Sequence, residues 1–201
     1  GYAVAINGNI ILVGAIGDDD NSQSNSGSVY LFSKDQGGAD NWGEVKKLYA
    51  SDPGLNSQLG VFISMASNYA VVGAFGNSSY RGSAYVYYKD QGGTDNWGEM
   101  KKLTASDGVS EDQFGYSVGI SGSDIVVGAK QKDSANGENS GAGYIFSKDQ
   151  GGTDNWGQVP KQVPTIDGNG YDNYRFGWAL SMNTTYAAVG AYGTYAYRGA
   201  V

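Results

Sequence analysis

The apolar positions of the chain come in short runs, broken by clusters of glycine, asparagine, serine and aspartate. In the first part of the chain the runs are residues 2–6, 10–15, 28–33 and 44–50. The first three are rich in valine, isoleucine, tyrosine and phenylalanine, which suit a pleated, packed surface, and so predict β-strands. Turn-forming residues separate the runs at 7–9, 17–27 and 35–43. Asn7-Gly8 predicts a type I′ hairpin, and Ser121-Gly122-Ser123 takes the same place further along. The fourth run fits two patterns, because Trp42, Val45 and Leu48 are three apart, as in one turn of helix. Gly43, Gly98 and Gly157 at its start and its short span favour a strand. Pro160 and Pro164 in its third copy point to an outer edge strand, where a missing N–H is tolerated.

The whole pattern repeats, which decides how the rest is read. Residues 34–43, Lys-Asp-Gln-Gly-Ala-Asp-Asn-Trp-Gly with a doubled glycine at 37–38, return at 89–98 and 148–157, differing only at Ala39, Thr94 and Thr153. Val-Gly-Ala recurs at 13–15, 72–74, 127–129 and 189–191. Phe-Gly stands at 114–115 and 176–177, as Leu59-Gly60 in the second copy, and as Gly1 alone in the first. The markers divide the chain into units 1–58, 59–113, 114–175 and a shorter 176–201. The last unit ends in Arg198-Gly199-Ala200-Val201, which parallels Arg81-Gly82-Ser83-Ala84 at the start of a predicted strand, so a longer array is expected.

Four short strands per unit, repeated in fixed order, predict an all-β protein, a β-propeller built of four-stranded antiparallel blades. One such sheet cannot bury both of its faces, whereas radial stacking of neighbours does so. Val-Gly-Ala is expected in an inner strand, where small residues let neighbouring sheets approach. The alternative is a β-sandwich, which the fixed order of markers disfavours.

Composition narrows the chemistry. The 201 residues include no cysteine and no histidine. That excludes disulfide scaffolds, thiolate metal sites, thiol nucleophiles and the Ser-His-Asp triad. Thirteen basic against twenty acidic side chains give a net charge of −7, which argues against nucleic acid or an anionic membrane as partner. No apolar run is long enough to cross a bilayer as a helix. The chain opens Gly1-Tyr2-Ala3 without methionine and shows no signal peptide.

Phe114-Gly115-Tyr116-Ser117-Val118, then residues 125–129 ending in Val-Gly-Ala, then 141–146, Gly-Ala-Gly-Tyr-Ile-Phe, resemble the FG-GAP repeat, the blade of integrin-α-like propellers. The resemblance covers the whole chain and implies a seven-bladed ring of which these units are a fragment. The Asp-Gln-Gly-Gly and Lys-Lys-Leu-x-Ala-Ser-Asp segments look like those of FG-GAP proteins at the surface of microbes and protists. The resemblance also implies Ca²⁺, bound between the first and second strands of a blade. Here those positions hold Asn7-Gly8-Asn9, Ser67-Asn68, 121–124 and Asn183-Thr184-Thr185, nearly free of carboxylates. Calcium takes six to eight oxygen ligands, so the family's site does not carry over.

Other residues could supply oxygens. Asp167, Asn169 and Asp172, with Gly170 for the bend, have calcium-loop spacing in miniature. The matching linkers keep Glu111 and Asp112, or Asp52 alone, and a polar connection between blades explains all three equally. Asp18, Asp19 and Asp20 open a long loop whose counterpart at 130–140 carries Asp133 and Glu138. Such a loop suits a cation or a basic partner, or is a solvated loop. The aspartates of the Asp-Gln-Gly-Gly segment recur in three units and read as structural turn-formers, with tryptophan covering the blade edge. Asn77 and Asn183 begin glycosylation sequons. Tyr30, Tyr85, Tyr87 and Tyr144 lie within strands and read as core.

These readings converge on a non-catalytic, extracellular or cell-surface module for adhesion or for recognition of a protein or glycan, with Ca²⁺ as its candidate cofactor. A structural subunit of a surface layer, sheath or filament, self-associating through blade edges, is the second expectation. A carboxylate-based hydrolase is the third.

Overall fold

A computed structural model describes residues 1–20, 22–135, 137–159 and 172–193. The first sheet has the order β1 (Val4–Asn7), β2 (Ile10–Ala15), β3 (Ser28–Ser33), β4 (Gly43–Leu48). The second runs β5 (Ile63–Ala66), β6 (Tyr69–Ala74), β7 (Ser83–Tyr88), β8 (Gly98–Leu103). The third runs β9 (Phe114–Ser121), β10 (Asp124–Ala129), β11 (Ala142–Ser147), β12 (Gly157–Gln158). A fourth pairs β13 (Phe176–Met182) with β14 (Ala187–Ala191). Every pairing within these sheets is antiparallel between sequential strands. Three four-stranded blades and the start of a fourth therefore follow one another, as in a β-propeller.

The first-strand edges lie together and the fourth strands lie outermost, for β5 packs on β9, β9 on β13 and β1 on β5. The fourth run is thus an edge strand and not a helical turn. Its three-residue spacing comes from a bulge: Lys46 pairs with Leu31 and Glu44 with Phe32, leaving Val45 as the extra residue. Met100 is the extra residue at the same place in the second blade. The first hairpin departs from expectation in its turn. Asn7 pairs with Ile10, so Gly8-Asn9 form the loop, and of these two only Gly8 has positive φ, at 57°. Type I′ needs two left-handed residues; the φ signs here are those of type II′.

Neighbouring blades share two cores. Leu12, Val29, Leu31 and Leu48 of the first blade meet Ile63, Val72, Tyr85, Tyr87 and Trp97 of the second. Val71, Val86 and Leu103 on the opposite face of the second blade meet Phe114, Val118, Ile125, Val127, Tyr144 and Trp156 of the third. β6 accordingly reads as a nearly continuous apolar run, since alternate residues enter different cores. Burial of each large side chain contributes about 1.5–3 kcal/mol. Trp97 and Trp156 belong to these inter-blade cores, 3% and 1% exposed, which corrects the expectation that they cover an edge. Trp42, in the same loop of the first blade, is half-buried, and that blade's β1 leaves Val4 and Ile6 71% and 67% exposed.

The glycine markers explain how closely the blades approach. A Cβ on Gly14 would overlap the carbonyl of Gly60, one on Gly73 that of Gly115, and one on Gly128 that of Gly177. Each of these three Val-Gly-Ala glycines thus packs on the glycine that follows Leu59, Phe114 or Phe176 in the next blade. Parallel bridges beside these contacts, Gly27 to Leu59, Gly82 to Phe114 and Gly141 to Phe176, tie each third strand to the next blade through the backbone.

Candidate functional site

Antiparallel order sorts the connections into two ends. The tight first hairpins and the Asp-Gln-Gly-Gly loops share one end. The loops between second and third strands share the other end with the linkers between blades.

At the Asp-Gln-Gly-Gly end the repeated residues build their own loops. The Asp40, Asp95 and Asp154 N–H groups donate to Oδ1 of Asp35, Asp90 and Asp149 at 3.0–3.1 Å. Asn41, Asn96 and Asn155 donate to the carbonyls of Gln36, Gln91 and Gln150. Lys34, Lys89 and Lys148 pair with Asp40, Asp95 and Asp154. Lys46 and Lys101 reach from one blade to Asn96 and Asn155 of the next. Every one of these groups has a structural task, as the threefold repetition implies.

At the other end the long loop of the first blade sends its three acids to different places. Asp18 Oδ2 takes Lys47 Nζ at 2.5 Å and hydroxyl bonds from Ser28 and Tyr30. Burial works against this carboxylate, but the bonds from Lys47, Ser28 and Tyr30 outweigh it and hold the carboxyl below its ordinary value. Asp19 Oδ1 accepts the Asn25 N–H at 2.8 Å, and Asp133 Oδ1 accepts the Asn139 N–H in the counterpart loop. Asp20 pairs its backbone with Gln23. Among the described residues no group of three or more acids is gathered as a metal site. Asp172 is exposed and accepts the Glu138 N–H; Asp167 and Asn169 lie outside the described residues.

The sequons part company. Asn77 is 3% exposed. Its amide donates to Ser57 and to the Asp52 carbonyl, and its Oδ1 accepts from Ser78, Ser83 and Lys102, so the folded chain has no room for a sugar there. Asn183 is exposed and its Oδ1 caps the Thr185 and Tyr186 N–H groups.

The linker acids hold tyrosine hydroxyls of the following blade. Tyr85 donates to Asp52 at 2.7 Å and Tyr144 to Asp107 at 2.8 Å. Burial, then the carboxylate at the tip, push both phenols well above their ordinary value. Tyr85, Tyr87 and Tyr144 are core, as read from the sequence, with their tips tied between blades. Tyr30, read as core too, is half-buried, its hydroxyl held by Asp18 of its own blade. The acceptors could have been found as the aspartate ending each Ala-Ser-Asp.

A second feature of this end was not legible in advance. Ring centroids follow one another from Tyr80 to Phe75 (6.1 Å), Tyr116 (5.5 Å), Trp178 (5.1 Å) and Tyr192 (4.6 Å). Phe75 and Tyr192 stand one residue past Val-Gly-Ala, and Tyr116 and Trp178 one residue past Phe-Gly, so each blade adds rings at the same level. Where the Val-Gly-Ala series would place another apolar residue, the third blade has Lys130. Its Nζ lies 3.6 Å from the Tyr116 ring centroid and 4.4 Å from that of Trp178. Burial, and then repulsion from Arg175, lower its amine to about 8.

A repeating four-stranded blade, stacked by paired glycines and carrying its variable side chains at one end, defines a propeller module. The chain matches the FG-GAP repeat family over residues 1–32, 42–87 and 97–146, more than half of its length, and belongs to that family. None of the curated proteins compared with it matches.

Proposed function

We propose that the chain is a non-catalytic recognition module, extracellular or at the cell surface, that binds a glycan or protein through the end of the blades bearing the long loops. The observation that carries this reading is the strip of rings running from half-buried Tyr80 to exposed Tyr192, crossing three blades on a rigid scaffold. Rings that stay partly open at successive blades present a preformed apolar surface, and partners bind such surfaces with little loss of side-chain freedom. Membership of a family of propeller repeats typical of extracellular proteins supports the setting. The test is a binding screen of the chain against immobilised glycans and extracellular matrix proteins. Specific binding that falls when Trp178 is replaced by alanine supports the reading, and binding to none of them overturns it.

A further inference from the structure

Among the described residues, two cations stand together in the ring strip without an acidic partner. The described ion pairs all use other lysines. Among the described residues, Lys130 Nζ meets ring faces, those of Phe75, Tyr116 and Trp178. Arg175 places its Cζ 5.9 Å from the Tyr192 ring centroid, and its Nε is buried with no hydrogen-bond partner. In a chain of net charge −7, with carboxylates close to most of its lysines, such a pair is out of keeping with structural need. Buried polar groups are normally satisfied, and an exception asks for a missing partner.

The equivalent position one blade earlier is neutral, and its backbone ties two members of the strip together. Gln113 precedes Phe114-Gly115 as Arg175 precedes Phe176-Gly177, and both residues have left-handed φ, 57° and 56°. Gln113 joins two members of the strip: its N–H donates to the Tyr80 carbonyl and its own carbonyl accepts the Tyr116 N–H. Its Oε1 is also buried without a partner. The strip therefore offers two cationic groups, Lys130 beside Tyr116 and Trp178 and Arg175 beside Tyr192.

We propose that Lys130 and Arg175 bind the carboxylate of an acidic saccharide whose sugar rings lie along the aromatic strip. A pyranose ring has an apolar C–H face that packs on an aromatic ring, while its hydroxyls both donate and accept. The carboxylate of a uronic acid meets the two cations through charge-assisted bonds. A peptide that binds by strand addition fits less well, because that mode needs a free sheet edge, whereas this strip crosses from blade to blade over side chains. The inference rests on the recognition reading above and names the ligand class of that surface.

The test is titration calorimetry of the chain with an oligogalacturonate, its neutral methyl ester and an oligoglutamate of equal charge. The expected result is binding of the oligogalacturonate, at least tenfold weaker binding of the ester, and no comparable binding of oligoglutamate. Lys130→Met and Arg175→Gln each weaken the first by tenfold or more, while Lys130→Arg retains it. On binding, the Lys130 amine, followed by NMR of the labelled side chain, shifts upward toward its ordinary value. Equal binding of acid and ester, or binding unchanged in Lys130→Met, overturns the acidic-sugar site. Oligoglutamate binding as well as the sugar does so too, and makes the site a reader of charge or peptide. If the chain captures another glycan or protein in the screen while these acids fail, the site falls and the recognition reading stands.

Discussion

Gly73 and Gly115, on adjacent blades, pack so closely that a Cβ on Gly73 would overlap the Gly115 carbonyl. Gly115 also has φ of +87°, which side-chain-bearing residues rarely adopt. The pair sets the distance between the second and third blades, and Gly14 with Gly60 and Gly128 with Gly177 repeat it. The two glycine motifs of the family are thus the two halves of one contact.

Gly73→Ala is expected to lower stability by about 2–3 kcal/mol, because the backbone it strikes cannot move aside without opening the core. Gly190→Ala serves as the control, since its Cβ would meet Ala179 at an ordinary 3.8 Å, and is expected to change stability by less than about 0.5 kcal/mol. Denaturant midpoints of the two variants check this.

The three tryptophans in equivalent loops should differ in energy and in colour. Trp97 and Trp156 fill inter-blade cores, so replacing either by alanine should cost about 3–5 kcal/mol. Trp42 is half-buried and should cost roughly 1 kcal/mol. Single-tryptophan variants should show blue-shifted emission for positions 97 and 156 and red-shifted emission for 42.

Asp18 has its carboxyl lowered in the fold, so its contribution is present above the unfolded value near 3.8 and is lost as pH falls through the folded value. Asp18→Asn should therefore destabilise at pH 7 and be neutral near pH 2. The effect should stay below about 1 kcal/mol, because water reaches the pair. Since Lys47 already neutralises Asp18, a calcium chelator is expected to leave the melting midpoint unchanged. A fall restored by Ca²⁺ would assign ligand roles to the loop of Asp18, Asp19 and Asp20 or to Asp167, Asn169 and Asp172.

Lys130 behaves in the opposite sense. Its amine is lowered to about 8, so the folded chain is penalised where the amine is charged. The penalty is full below about pH 8 and disappears as pH rises toward the unfolded value near 10.5. Lys130→Met should raise stability at pH 7 by about 1 kcal/mol, after allowance for its half-exposed setting. The gain should vanish at pH 10.5. Paired thermal melts at the two pH values check the sign.

Strand positions and blade order were legible because the markers recur with their neighbours, and each unit confirms the next. Strand ends moved by one or two residues, and the bulge at Val45 mimicked a helical spacing because an extra residue breaks the alternation of a strand. The structural task of Asp35, Asp90 and Asp149 was also legible from repetition. The ring strip was not. Phe75, Tyr116 and the pair Trp178 and Tyr192 come from three different blades and are brought together by the stacking of sheets. Lys130 could be singled out only by aligning the units at Val-Gly-Ala and asking why one of them turns from apolar to cationic. Asn77 looked like an open turn because its sequon is polar, yet its amide is the hub of a buried hydrogen-bond cluster.

The central claim is that the ring strip is the binding surface. The most direct measurement compares the wild-type chain with Tyr116→Ala and Trp178→Ala in the glycan and matrix-protein screen, with circular dichroism confirming the fold of each. The account predicts that both variants keep their strand signal and lose at least tenfold in affinity for whatever the wild-type chain captures. Folded variants that bind as tightly as wild type would contradict it.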